Sequence, residues 1–151
     1  MKNYFKSSVA ILAFVFIGSV FLFGCSEDDL PMDDNLVKFE NIQVVGGEEV
    51  PTNASTATGT FNGTFDKTTK ILTYRLTFTG LTPTNMHFHK GAVGVNGPVA
   101  IAISASPYTS PINTMTPALT TAQEADLLNG LWYVNIHSAA FPPGELRGQV
   151  D

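Results

Sequence analysis

The chain beyond residue 57 alternates apolar and polar positions with a period of two, which predicts β-strands rather than helices. The pattern is clearest in residues 57–65 and 72–79, where aromatic, leucine or glycine positions alternate with polar positions that are mostly threonine. A polar segment at 66–70 separates the two runs and is typical of a hairpin loop. One apolar and one polar face per strand indicate an antiparallel sheet that is half buried.

Further strands are expected at 36–45, 85–89 and 99–103, and the first of these should carry a bulge where its apolar face switches after Phe39. Residues 104–119 hold three prolines and little periodicity, so we expect a long loop there. One helix should begin at a capping box of Thr121 and Glu124 and end at Gly130. Six or seven short strands and one short helix predict an all-β fold, an antiparallel β-sandwich or flattened barrel.

Residues 131–150 carry a large apolar face and a polar face on the same strand. The apolar face consists of Trp132, Val134 and Ile136, and the polar face consists of Tyr133, Asn135 and His137. Two prolines and Gly144 then turn the chain into a last short strand, on which Glu145, Arg147 and Gln149 share a face. We expect Asn135, Glu145 and Arg147 to form a structural polar cluster, with Glu145 and Arg147 paired to lock the final hairpin.

All three histidines of the chain lie in strands of this kind. His87 and His89 are two residues apart, so their rings should leave one strand face roughly 6–7 Å apart at the backbone. If His137 converges with them, three imidazoles would suit one zinc or copper ion, with Glu145 or water completing the site. The alternative is that all three rings are structural and bond backbone carbonyls or the 142–145 turn, while Asn135 caps loop backbone.

The first 35 residues indicate a secreted, anchored protein. Residues 1–24 have the positive start and apolar core of a signal peptide, and residues 22–25 resemble a lipobox whose Cys25 is the only cysteine. This resemblance implies lipidation of Cys25 and a membrane partner through the N-terminal lipid. Residues 25–35 form an acidic flexible tether. Its first residues resemble a signal for export to the outer membrane and cell surface, or are only a solvated spacer.

Charge and motifs exclude several classes of function. The net charge is −5, but residues 36–151 carry eight acidic and six basic side chains, so nucleic-acid binding is not expected. His137 and Ser138 are not a hydrolase dyad, because adjacent strand residues point to opposite faces. The glycine-rich segment 91–97 lacks the lysine of a phosphate-binding loop. We therefore expect no catalysis.

Six short motifs, in order, give the chain a family resemblance. It resembles the CHRD (chordin) domain, as a bacterial lipoprotein member, over roughly residues 38–150 on the following segments: 49–51, 55–59, 87–91, 96–99, 133–137 and 143–149. The resemblance implies a β-sandwich of the immunoglobulin or copper–zinc superoxide dismutase type, and implies no biochemical activity. The His-x-His pair also looks like the copper side of those dismutases. Their six histidines and aspartate are not present here, so at most one metal ion fits and dismutase activity is not expected.

We therefore expect residues 36–151 to be a lipid-anchored binding or structural module of the cell envelope, whose partner is an extracellular protein or glycan. The first alternative is a mononuclear zinc- or copper-binding protein with a metal-handling or redox role, through His87, His89 and His137. The second is carbohydrate or matrix adhesion through the loops at 90–98 and 104–119.

Overall fold

Eight antiparallel strands and one short helix make up the described part of the protein. The structure is a computed structural model that describes residues 34–104 and 106–151. The strands are β1 (Leu36–Val45), β2 (Thr58–Asp66), β3 (Ile71–Thr79), β4 (Pro83–Lys90), β5 (Val99–Ala102), β6 (Ile112–Met115), β7 (Trp132–Ser138) and β8 (Leu146–Val150). Helix α1 spans Thr121–Leu128, and a single 3₁₀ turn spans Gly46–Glu48.

The strands form one curled sheet in the order β5-β4-β7-β8-β1-β2-β3-β6. Two four-stranded halves meet between β8 and β1, where Val45 pairs with Arg147. The all-β, sandwich-like fold predicted from the alternation is thus confirmed. The expected bulge in β1 is also present, because the pairing with β2 shifts register between Phe39 and Ile42.

Aromatic side chains fill the space between the two halves. Phe88 of β4 meets Phe61 of β2 and Tyr74 of β3 edge-on, at ring-centroid distances of 5.7 and 5.2 Å. Trp132 of β7 lies against Phe88 and is fully buried. Burial of the Tyr74 ring raises the pKa of its hydroxyl to about 12. The apolar faces of β4 and β7 are therefore anchored in the core, which leaves their opposite faces to carry polar side chains.

Two local predictions were wrong. Residues 104–119 are not all loop, because Ile112–Met115 form β6 and pair with β3 in the register Leu76 to Ile112. The capping box lies one residue earlier than predicted: Thr120 accepts from the backbone N–H of Gln123, and the Gln123 side chain accepts from the backbone N–H of Thr120. Leu119 determines this register, since it is buried and its N–H donates to the Lys70 carbonyl.

Thr120→Ala should lower the free energy of unfolding by about 1 kcal/mol, because the helix loses the acceptor for a first-turn N–H. Chemical denaturation would measure the loss. Thr121→Ala is the matched control and should cost less than half as much, since Thr121 is exposed and does not cap the helix. Equal losses of unfolding free energy in the two variants would show that Thr120 is not the N-cap.

The signal peptide, Cys25 and all of the tether except Asp34 and Asn35 lie outside the described residues. Within the described residues, no helix combines the length and the apolar character needed to cross a membrane.

Candidate metal centre

The three histidines lie on one face of two neighbouring strands. β4 and β7 are antiparallel, with His87 opposite Asn135 and His89 opposite Tyr133, while His137 pairs with Asn85. Because side chains alternate along a strand, these residues all point away from the buried face formed by Met86, Phe88, Val134 and Ile136. The core-facing residues thus decide which way the imidazoles project.

The rings of His87, His89 and His137 converge on one another at the polar face of β4 and β7. One ring nitrogen from each lies within 4.8 Å of the other two. His87 Nδ1 and His137 Nε2 are 3.3 Å apart. All three side chains are partly buried. The convergence that the sequence left open as a condition is present, while metal binding itself stays a prediction.

Backbone carbonyls fix the tautomers of two of the rings. His89 Nδ1 lies 2.9 Å from the Gly97 carbonyl oxygen, and His137 Nδ1 lies 3.0 Å from the Pro142 carbonyl oxygen. A carbonyl oxygen only accepts, so each Nδ1 carries the proton and each Nε2 keeps its lone pair. His89 Nε2 is buried and has no hydrogen-bond partner. Two imidazoles therefore have the orientation that metal-binding histidines adopt when a second group holds the other nitrogen.

The comparison with protein families agrees with the fold. A family model described as the CHRD domain matches residues 41–150, well over half of the chain. The chain belongs to the CHRD domain family. No curated protein and no solved structure matches it. Membership indicates an extracellular module with a β-fold, and the histidine cluster of this CHRD domain has to be interpreted from its own geometry.

Glu145 lies outside the histidine cluster of the CHRD domain and does not complete it. Its carboxylate accepts from the Ser55 hydroxyl at 2.6 Å, and the three-residue cluster contains no carboxylate. The expected pair with Arg147 does not form among the described residues, since Arg147 binds oxygens of other residues. β8 begins only at Leu146, so the two-residue alternation that would have placed Glu145 beside Arg147 does not reach it.

Asn135 joins β7 to the 3₁₀ segment through Glu49 rather than through loop backbone. Its amide Nδ2 donates to Glu49 Oε1 at 2.9 Å, and both side chains are buried. Burial raises the pKa of the Glu49 carboxyl, although the positive charge of Arg147 opposes this shift. Gly144 leaves the room for this contact, because a Cβ there would lie 2.5 Å from Glu49 Oε1. Asn135 and Arg147 thus have structural partners, as expected, but not the partners expected.

Tyr133 is a part of the site that the sequence did not single out. Its ring stacks on His89 with centroids 5.0 Å apart and planes 10° apart. The alternation along β7 already placed Tyr133 on the face of His137, so the signal was present. Its pairing with His89 required the register between β4 and β7, which the sequence does not provide.

The histidines should make the stability of the metal-free CHRD domain fall as the pH drops below about 6.5. Burial lowers the pKa of both His87 and His89, and the neighbouring His137 adds to both shifts. The folded state therefore keeps these rings neutral, while the unfolded chain takes up protons near the ordinary value of 6.5. Stability from this source is complete above that value and is lost as the pH falls below it.

Urea denaturation between pH 7.5 and 5 would measure the effect by comparison with a His87→Gln/His89→Gln variant. The comparison is needed because the raised pKa of Glu49 acts in the opposite direction. We expect the parent protein to lose more stability over this range than the variant. Parallel pH profiles would show that the two rings do not contribute.

Proposed function

We propose that this chain is a lipid-anchored module of the cell envelope whose His87, His89 and His137 bind one zinc or copper ion. The observation that carries the proposal is the convergence of three ring nitrogens within 4.8 Å. Imidazole nitrogen suits both metals, and three protein ligands leave a fourth position for water or a small ligand.

The spacing of the nitrogens supports a tetrahedral ion. Zinc–nitrogen bonds of about 2.0–2.1 Å place two ligand nitrogens about 3.3–3.4 Å apart in a tetrahedron. The His87 Nδ1 and His137 Nε2 atoms already have this separation, at 3.3 Å. His89 Nε2 supplies the third ligand, and the widest nitrogen separation, which is at most 4.8 Å, has to shorten when the ion binds. A cation would also give the buried His89 Nε2 its missing partner.

The proposal includes no catalytic step. In the described part of the chain, the imidazoles hydrogen-bond to each other and to the carbonyls of Gly97 and Pro142. None of these contacts pairs a ring with a carboxylate or with a hydroxyl that could serve as nucleophile. A metal-handling or structural role accounts for the site without a substrate.

Metal analysis of the purified protein tests the proposal. After exposure to one equivalent of Zn²⁺ or Cu²⁺ and gel filtration, we expect close to one bound ion per chain. Bound metal should raise the melting temperature, since a free metal concentration of 100 times the dissociation constant adds about 2.7 kcal/mol to the free energy of unfolding. Asn85→Ala is the matched control for variants that lack one of the three histidines, and it should bind the ion as the parent does. Asn85 lies on the same strand face, is exposed and offers no imidazole. Protein free of metal after this treatment would eliminate the function.

The envelope location rests on the leader sequence and needs its own experiment. Labelled palmitate should be incorporated into the parent chain and not into Cys25→Ala, and the parent should fractionate with the outer membrane. Incorporation that is equal in both chains, or absent from both, would rule out the anchor.

A second candidate function is adhesion to an extracellular protein or glycan through residues 90–98. Three apolar side chains are exposed in or next to this loop, an unusual presentation. Val93 and Val95 lie within it and are 65% and 53% exposed, and Val99, which follows it, is 52% exposed. Binding to arrays of matrix proteins and glycans should then be lost in Val93→Ser/Val95→Ser. Binding that survives this change would exclude the loop.

A further inference from the structure

Arg147 is a buried cation that forms no salt bridge among the described residues, although its charge acts on the buried Glu49 carboxyl. It is 2% exposed, and the salt bridges of the described chain join Lys70 to Glu124 and Lys90 to Asp126 instead. Desolvating a charge costs free energy that is usually recovered through an ion pair. Because its hydrogen bonds go to neutral oxygens and not to a carboxylate, the burial of this guanidinium calls for an explanation in terms of what it holds.

The guanidinium holds the loop between β4 and β5. Nη2 donates to the carbonyl oxygens of Ala92 and Val95, both at 3.1 Å, and Nη1 donates to Asn96 Oδ1 at 3.3 Å. These three contacts fasten a glycine-rich segment that has no regular secondary structure. The loop is thus folded back over the strands by one planar side chain with several donors.

The end of this loop sets the orientation of His89. Gly97 follows Asn96 directly, and its carbonyl oxygen accepts from His89 Nδ1. The N–H of Gly97 donates to the Tyr133 hydroxyl at 3.1 Å. One residue of the loop therefore fixes the nitrogen of His89 that faces away from the cluster and also the position of the Tyr133 ring.

A second path runs from Arg147 to His89 through the Tyr133 ring. The guanidinium carbon lies 3.6 Å from the Tyr133 ring centroid, and the same ring stacks on His89. Since β7 lies between β4 and β8, Tyr133 lies between the two side chains. The cation–π contact holds the tyrosine ring, and the stacked tyrosine limits rotation of the imidazole.

We infer that Arg147 is a positioning residue that fixes His89 in its Nδ1–H tautomer, with Nε2 directed at the three-histidine cluster. As far as metal affinity is concerned, this inference rests on the proposed function. The orientation of the ring can be measured without any metal. Lysine cannot replace Arg147, because one ammonium group does not present planar, divergent donors and stacks less well on an aromatic ring.

Long-range ¹H–¹⁵N NMR of the metal-free protein at pH 8 tests the inference, since ring ¹⁵N shifts distinguish the two tautomers. The parent should show His89 as the Nδ1–H form, and Arg147→Lys and Arg147→Gln should show a mixture. The same variants should bind Zn²⁺ about 10–100-fold more weakly, the usual loss when an outer partner of a ligand is removed. Arg75→Lys is the matched control, because Arg75 is exposed on β3, and it should leave both readouts unchanged.

The outcomes separate the inference from the proposed function. If the parent binds Zn²⁺ and the folded Arg147 variants keep its tautomer and affinity, the inference is wrong and the metal site stands. If the parent binds no metal and the tautomer still depends on Arg147, the positioning role stands and the metal function fails. If neither is observed, both are wrong.

Should the Arg147 variants not fold, Tyr133→Phe keeps the ring and removes the hydroxyl from Gly97. It should partly mix the tautomers, and an unmixed tautomer would refute the inference.

Discussion

His89→Ala is expected to weaken Zn²⁺ binding more than 100-fold and to leave the fold intact. Loss of a ligand should exceed the roughly 10–100-fold effect of losing an outer partner. The fold should persist because losing the bond to the Gly97 carbonyl is offset by removal of His89 Nε2, which is buried without a partner. Isothermal titration with Zn²⁺ and circular dichroism would measure the two effects.

His137→Ala provides the comparison that separates a metal site from a structural cluster. Both of its ring nitrogens have partners, Nδ1 at the Pro142 carbonyl in the turn before β8 and Nε2 at His87, so this variant should lose both metal and some stability. If His89→Ala and His137→Ala destabilise the protein equally and the parent has no affinity for Zn²⁺, the histidines have only a structural role. The difference between the two variants is therefore more informative than either one alone.

The period of two accounted for most of the sheet because half-buried strands must alternate. The runs around Phe61, Leu76 and Trp132 contain enough large apolar residues to identify both strand and inward face, and all three are fully buried. The same rule placed the three imidazoles on one type of face. It is a local rule, so it extends as far as neighbours along one strand.

The pattern was insufficient where a short element lacked apolar contrast. β6 has four residues, follows a proline, and buries Ile112 alone. For the helix, Thr120 with Gln123 and Thr121 with Glu124 are equally good capping boxes by spacing. The choice between them depends on Leu119, whose backbone contact to Lys70 lies across the fold.

The partners of the polar residues could not be predicted, because they come from segments without periodicity. Arg147 donates to oxygens of the 91–97 loop, and Glu145 accepts from the Ser55 hydroxyl, so both residues have partners that are distant in sequence. Simple alternation suggested that Glu145 and Arg147 would pair. Such pairing needs a regular strand through both residues, and the chain enters β8 only after Glu145.

Gly97→Ala, which adds one methyl group, should lower the free energy of unfolding more than any other glycine-to-alanine change near the site. A Cβ at Gly97 would overlap the carbonyl oxygen and carbonyl carbon of Lys90. Both are backbone atoms, which cannot move aside as a flexible side chain could. The loop is closed there, since the Lys90 N–H donates to the Pro98 carbonyl at 2.9 Å. We expect a loss of about 3 kcal/mol or more in the free energy of unfolding.

The same substitution should also impair metal binding, because the carbonyl that orients His89 belongs to Gly97. Urea denaturation and Zn²⁺ titration of one sample would measure both effects. Gly47→Ala is the matched control, since a Cβ there meets nothing within 4 Å, and it should change stability by less than about 1 kcal/mol. A Gly97→Ala protein as stable as this control would show that residues 90–98 are not clamped as the structure describes. If stability falls but Zn²⁺ affinity is retained, the loop holds the fold together without orienting His89. Arg147 would then not act on the metal ligand through Gly97.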